Sequence, residues 1–133
     1  MKVLFFAPFA DVWQHSFPEA LVAETCQQQG WETTLIRCRG LLSNHCIAMS
    51  AALLSAGASA SEREKICRSC RKHAALLDDE FQFDSRYIDD YLDTSDHQLI
   101  EELVGSVSRN DWSSFQIDDT PIGRLAAYEF YLH

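Results

Sequence analysis

An α/β fold follows from three features of the 133-residue sequence. The first is a continuous apolar run, Val3-Leu-Phe-Phe-Ala7, which is too short for a free-standing helix and rich in strand formers. The second is the order behind it: a break at Pro8, a helix-length segment closing at Gly30, then a second β-rich run, Glu32-Thr-Thr-Leu-Ile-Arg37. The third is composition. Apolar residues make up 47% of the chain and 15 residues are aromatic, which is enough for a core and outside the range of disordered chains. The length predicts one domain, residues 1–133.

Each element has its own signal. The first run reads as a buried parallel strand that Pro8 ends. Residues 9–15 are expected as a loop, with Ser16 placed to cap the first helix and Pro18 and Glu19 in its first turn. Leu21, Val22, Thr25 and Cys26 form the predicted inward stripe, and Gly30 is the stop. Strand, helix and strand by Arg37 make a βαβ unit with a right-handed crossover, a Rossmann-like opening. A loop with Cys38, Gly40, His45 and Cys46 follows, then a small-residue helix over 47–56 and a break over 57–61. Ser61-x-x-Glu64 reads as the capping box of a helix running to about Leu77, with Ile66, Cys67, Cys70, Ala74 and Leu77 on its apolar face. The expectation is therefore a Rossmann-like βαβ opening, a helical cysteine-bearing insertion and further helices.

From Asp78 the aromatic residues alternate with carboxylates, which predicts a short strand or loop and then an amphipathic helix. Asp96 is placed to cap a helix over 97–107. Residues 109–119 are polar without a period. Thr120 and Pro121 suit the cap and first position of a helix over 122–133. That segment carries no stop signal, so the chain is expected as the N-terminal half of a longer protein, with a docked final helix as the alternative.

The net charge of −9 is unevenly spread. Residues 1–77 carry 8 basic and 6 acidic side chains, and residues 78–133 carry 3 and 14. An acidic half repels phosphates, which argues against nucleic acid as a partner. The opening apolar run is short for a secretion signal, contains Pro8 and lacks a small-x-small cleavage pattern. No stretch approaches the roughly 18 apolar residues of a spanning helix. Five cysteines, an odd number, suit a reducing compartment. A cytoplasmic protein with at most peripheral membrane association is expected.

Four of the five cysteines fall in one window of 33 residues: Cys38, Cys46, Cys67 and Cys70. Cys67 and Cys70 share a helix face one turn apart, and the other two come from the loop after the second strand. Four convergent thiolates are the donor set of a tetrahedral metal site, with zinc the first choice and an iron–sulfur cluster the alternative. His45 or His73 could replace one sulfur. The neighbouring Arg63, Lys65, Arg68, Arg71, Lys72 and His73 are expected to favour thiolate over thiol. Buried free thiols and a Cys67–Cys70 redox pair remain as alternatives, and Cys26 reads as core. Asp89, Asp90 and Asp93 read as a solvated helix face. The Ala7-Pro-Phe-Ala-Asp11 turn has no glycine, so no nucleotide site is expected here.

Four segments together resemble the N-terminal region of bacterial glycosyltransferase-like proteins of capsule and surface-polysaccharide synthesis. They are the opening Lys2-Val-Leu-Phe-Phe-Ala-Pro8 with its following helix, Arg37-Cys38 with Cys46, Cys67-Arg-Ser-Cys70-Arg71, and Thr120-Pro-Ile-Gly-Arg-Leu-Ala-Ala-Tyr128. The cysteine spacing is the specific part, since a βαβ opening is widely shared. The resemblance implies a two-domain glycosyltransferase of the GT-B type. Its N-terminal half would bind a carbohydrate or lipid-linked acceptor, and a separate C-terminal half would bind the sugar nucleotide. This chain would then be inactive alone. Asp11 and His15, at the carboxyl end of the first strand, would be the catalytic candidates, with His15 as the base that activates the acceptor. Two other classes compete: a metal-stabilised interaction or regulatory module without catalytic activity, and a small thiol redox protein.

Overall fold

The computed structural model describes residues 1–43, 46–55, 57–108 and 111–126. It is a mixed α/β protein whose three strands form one parallel sheet. The chain divides into two compact units, Met1–Tyr91 and Leu92–His133.

In the first unit, β1 (Lys2–Phe6), α1 (Trp13–Gln28) and β2 (Glu32–Arg37) are the expected βαβ opening. After β2 come a short α2 (Ile47–Ala51), a long α3 (Ala60–Phe81), β3 (Asp84–Tyr87) and a 3₁₀ turn, Ile88–Tyr91. The strand order is β1-β2-β3, with Leu4 paired to Thr34 and Thr34 to Asp84. The short strand expected in this stretch is β3, and the amphipathic helix expected after it is instead the 3₁₀ turn Ile88–Tyr91.

Helix α1 begins at Trp13, three residues before the predicted cap. Ser16 is not a cap: it is buried, and its hydroxyl donates to the Ala10 carbonyl at 3.1 Å. Trp13 and Phe17, one turn apart, stack at 5.4 Å and hold the first turn. Pro18 consequently falls inside the helix, where its missing N–H removes one helical hydrogen bond. The inward stripe is also shifted. Ser16, Ala20, Ala23 and Cys26 are buried, whereas Leu21 and Val22 are exposed, because small side chains let the helix lie close on the sheet. Gly30 ends the helix as expected. At φ +74° its N–H donates to Gln27 O at 2.8 Å, and the Trp31 N–H donates to Cys26 O at 3.1 Å.

Helix α3 is capped by Ser59 with Glu62, two residues before the predicted box. The Glu62 N–H donates to Ser59 Oγ at 3.3 Å, and the Ser59 N–H donates to Glu62 Oε2 at 2.8 Å. Glu64 is drawn elsewhere, to Arg71 Nη2 at 2.6 Å. The helix runs past Leu77 to Phe81, and Gln82 closes it in the left-handed region at φ 56°.

The core lies on one face of the sheet. Ala7, Ala20, Ala23, Leu35, Leu77 and Phe83 are buried together, with Phe5 and Phe81 packed against them. Arg37 is buried at the end of β2; it donates to Ala7 O at 3.3 Å and pairs with Asp78 Oδ1 at 2.6 Å. The other face is open. Leu4, Thr34 and Ile36 line a shallow groove there, and Leu4 and Phe6 are 64% and 59% exposed.

In the second unit, α4 (Thr94–Ser106) is capped by Asp93, not Asp96. Asp93 Oδ1 accepts from the Ser95 and Asp96 N–H groups at 2.7 and 3.0 Å, while Asp96 returns a bond to the Asp93 N–H at 2.9 Å. Helical backbone resumes at residues 122–126, and the rest of the helix expected over 122–133 lies outside the described residues. Among the described residues, no helix is long and apolar enough to cross a membrane.

Candidate functional site

The cysteine positions follow from three elements that meet at the carboxyl end of β2. The chain leaves the strand at Arg37 and places Cys38 at the first loop position. Gly40 then adopts φ +126°, a region that disfavours side chains, and its N–H donates to Cys38 Sγ at 3.2 Å. A Cβ at Gly40 would lie 3.8 Å from Cys67 Sγ, so this glycine sits between the sulfurs of loop and helix. Cys46 is the N-cap of α2, whose Ala48 and Met49 are buried. Helix α3 supplies Cys67 and Cys70 from consecutive turns.

All four sulfur-bearing residues line one small cavity, together with Pro8, Gly40, Met49 and Ile66 among others. Its volume is about 10 Å³, room for one body the size of a water molecule. Cys67 and Cys70 are buried, Cys38 and Cys46 are half-buried, and none forms a disulfide. In this conformation Cys70 Sγ faces the Pro8 carbonyl at 3.7 Å. Among the described residues, no three His, Cys, Asp or Glu side chains stand as a ready coordination set. The four residues supply donors of the thiophilic type around one cavity, without forming a coordination set in this conformation.

The local electrostatics reverse one expectation. Burial pushes the Cys67 thiol above the ordinary range, and the neighbouring Cys46 and Cys38 sulfurs push it further; Arg71 opposes them. Burial also raises Cys70, against the backbone N–H groups of Asp11 and Ala10. The basic residues of α3 do not activate these thiols because Lys65, Arg68 and Lys72 are exposed to water. Arg71 is engaged by Glu64 and by the Arg39 carbonyl at 3.1 Å. Both shifts favour the neutral thiol at Cys67 and Cys70.

A second cluster adjoins the first at the carboxyl end of β1. Asp11 Oδ1 accepts from Ser69 Oγ at 2.7 Å and lies 2.8 Å from His73 Nδ1. The His73 ring stands 5.7 Å from that of Trp13. Asp11 thus lies beside the imidazole of His73 of α3, although His73 Nδ1 has no aligned hydrogen-bond partner among the described residues. His15 is an exposed residue in the first turn of α1, where its N–H donates to Val12 O at 2.9 Å, and its charge acts on Glu19. Burial raises the Glu19 carboxyl, while Arg37 and then His15 oppose the shift. As a possible metal ligand, His73 does not line the thiol cavity, and His45 lies outside the described residues. The sequence alone did not bring Asp11 and His73 together because they are 62 positions apart in the chain.

The acidic residues read as a solvated face are solvent-accessible, with Asp90 and Asp93 exposed, but they sit in a 3₁₀ turn and a helix cap and make specific contacts. Asp89 Oδ2 accepts from the Arg39 N–H at 3.3 Å, and Asp90 pairs with Arg39 Nη1 at 2.8 Å. The Arg39 guanidinium also covers the Tyr87 ring at 3.7 Å. Asp93 serves as the α4 cap. These contacts tie the start of the cysteine loop to the end of β3.

Comparison with protein-family models, with curated proteins and with solved structures finds no match.

Proposed function

We propose that this chain is the acceptor-side domain of a glycosyltransferase-like protein of surface-polysaccharide synthesis, stapled by a four-cysteine zinc centre. The observation that carries the metal part is the shared cavity of Cys38, Cys46, Cys67 and Cys70. Its size favours one ion over a multi-atom iron–sulfur cluster. Bound there, zinc would neutralise the thiolates and tie the β2–α2 loop to α3, adding to the Arg71–Arg39 hydrogen bond between them. Gly40 contributes an N–H that supports negative charge on Cys38 Sγ.

The enzymatic part rests on the resemblance of the sequence and on placement. The parallel order β1-β2-β3 is compatible with one half of a doubly wound, Rossmann-like sheet, in which ligands collect beyond the carboxyl ends of the strands. Both side-chain clusters lie at that end. In this reading His73, close beside Asp11, takes the role that the sequence suggested for His15. Its imidazole would accept the proton of an acceptor hydroxyl as that oxygen attacks the sugar, while the nucleotide leaves with the bond electrons. The sugar nucleotide would be held by a separate domain. A cytoplasmic setting suits zinc-bound thiols. The redox alternative is disfavoured because burial raises both thiols of the Cys67–Cys70 pair.

Elemental analysis of protein purified without chelator tests the reading. One zinc per chain is expected, with zinc and stability lost together in Cys67→Ser and zinc retained in Cys26→Ser. Metal-free protein with all five thiols titratable would remove the zinc centre. Iron with inorganic sulfide would replace it with a cluster on the same ligands.

A further inference from the structure

We infer that Asp11, Trp13 and His73 form a subsite for one ring of a neutral sugar, at the carboxyl end of β1. The inference deepens the acceptor-side reading above and rests on it for biological context. Its own basis is three side chains whose chemistry is complementary to a polyhydroxylated ring.

Trp13 supplies the apolar surface. It is the first residue of α1 and is 40% exposed, a large apolar ring left open beside polar groups. Phe17 stacks on one face of it at 5.4 Å with an interplanar angle of 18°, and the His73 ring lies tilted at 5.7 Å, which fixes the indole while leaving part of it exposed. A rigid exposed indole is the surface on which the C–H face of a pyranose packs, with little side-chain entropy left to lose.

Asp11 and His73 supply direction. The Asp11 carboxylate is immobilised through Oδ1, which takes the Ser69 hydroxyl at 2.7 Å and faces His73 Nδ1 at 2.8 Å. Its Oδ2 has no hydrogen-bond partner among the described residues. With Nδ1 turned to Asp11, His73 has Nε2 as its remaining polar atom, and the side chain is 41% exposed. An unused carboxylate oxygen and an imidazole nitrogen beside an indole suit adjacent hydroxyl groups that donate to both. The carboxylate disfavours phosphorylated or uronic sugars by like-charge repulsion, so the preferred ring is neutral. Few convergent polar groups around an aromatic surface are the usual make-up of a small-molecule site.

Saturation-transfer NMR on the full chain, with lactose, cellobiose and chitobiose as probes and glucuronic acid as the anionic control, tests the subsite. At least one neutral disaccharide is expected to bind with a Kd of roughly millimolar order, and glucuronic acid is not. Trp13→Ala should weaken binding by about tenfold or more, Asp11→Asn should weaken it comparably, and Trp31→Ala should leave it unchanged. No transfer from any neutral probe overturns the inference, and so does binding that survives Trp13→Ala. Glucuronic acid binding as well as the neutral sugars, through Trp13, overturns the assignment of a neutral ring. Zinc content and circular dichroism of each variant separate the two proposals. Lost sugar binding with zinc and fold intact confirms the loss at the subsite. Sugar binding through Trp13 by a wild-type protein without zinc upholds the subsite and overturns the metal centre alone.

Discussion

Arg37 carries a charge that cannot be lost at ordinary pH, yet its side chain is only 2% exposed. It is tolerated because Asp78 meets it at 2.6 Å and the Ala7 carbonyl takes a second N–H. Removing the carboxylate leaves a buried cation without its counter-charge. Asp78→Ala is therefore expected to destabilise the first unit by about 3–5 kcal/mol, read from urea unfolding. Replacing both partners with apolar residues of similar volume should recover much of that loss, and a double-mutant cycle measures it. None of this pairing was legible in the sequence. Arg37 could be placed at a strand end, but an ion pair across 41 positions depends on how α3 crosses the sheet. The same limit hid the Asp11–His73 contact, whereas the four cysteines were legible because spacing alone put two on one helix face and two in one loop.

At the level of elements, the starts of the helices show where local pattern is ambiguous. Ser59-x-x-Glu62 and Ser61-x-x-Glu64 are equally good capping boxes as sequence. Pairing within the helix separates them, since Glu64 is taken by Arg71 two turns on and Glu62 folds back on Ser59. The pKa of Glu62 is lowered by its hydrogen bond with the Ser59 side chain first and the Ser59 backbone second. A carboxyl with a depressed folded pKa stabilises the helix above the ordinary glutamate range and loses that contribution as pH falls through the lowered value. Ser59→Ala should cost about 1 kcal/mol at neutral pH. Its deficit relative to the parent should shrink on acidification through that window, as followed by far-UV circular dichroism. A deficit that grows in acid would contradict the assigned cap. For α1, periodicity selected Leu21 and Val22 as inward, but close packing against the sheet rewards the small residues on the neighbouring stripe.

For the molecule as a whole, the βαβ opening could be read because each of its parts is local: an apolar run, a glycine stop and a β-rich run. The third strand is ambiguous between strand and loop as sequence, since Asp84-Ser-Arg-Tyr87 has little apolar content and its place in the sheet depends on backbone pairing with the distant β2. The cysteine loop and α3 were expected to be bound by metal, and its removal gives a test on the global scale. Chelation by a strong zinc ligand should lower Tm and speed amide exchange in α2 and in the middle of α3, while β2 keeps its protection. Uniform loss across the sheet would place the metal's contribution in the core instead.

The open face of the sheet bears on the protein's behaviour in solution. Among the described residues strand β1 pairs with β2 alone, which leaves its outer edge without a strand partner there, beside exposed Leu4 and Phe6. Such an edge is a template for non-specific strand addition, and natural proteins usually blunt it with charge. Lys2 is the single charged side chain on β1, and Glu32 already neutralises it at 3.0 Å. Light scattering should therefore rise steeply with protein concentration despite the net charge of −9, and Leu4→Lys should suppress it without moving the thermal midpoint by more than a few degrees. Colloidal behaviour would then be governed by five residues at the start of the chain, and the acidic surface further on would have little say in it.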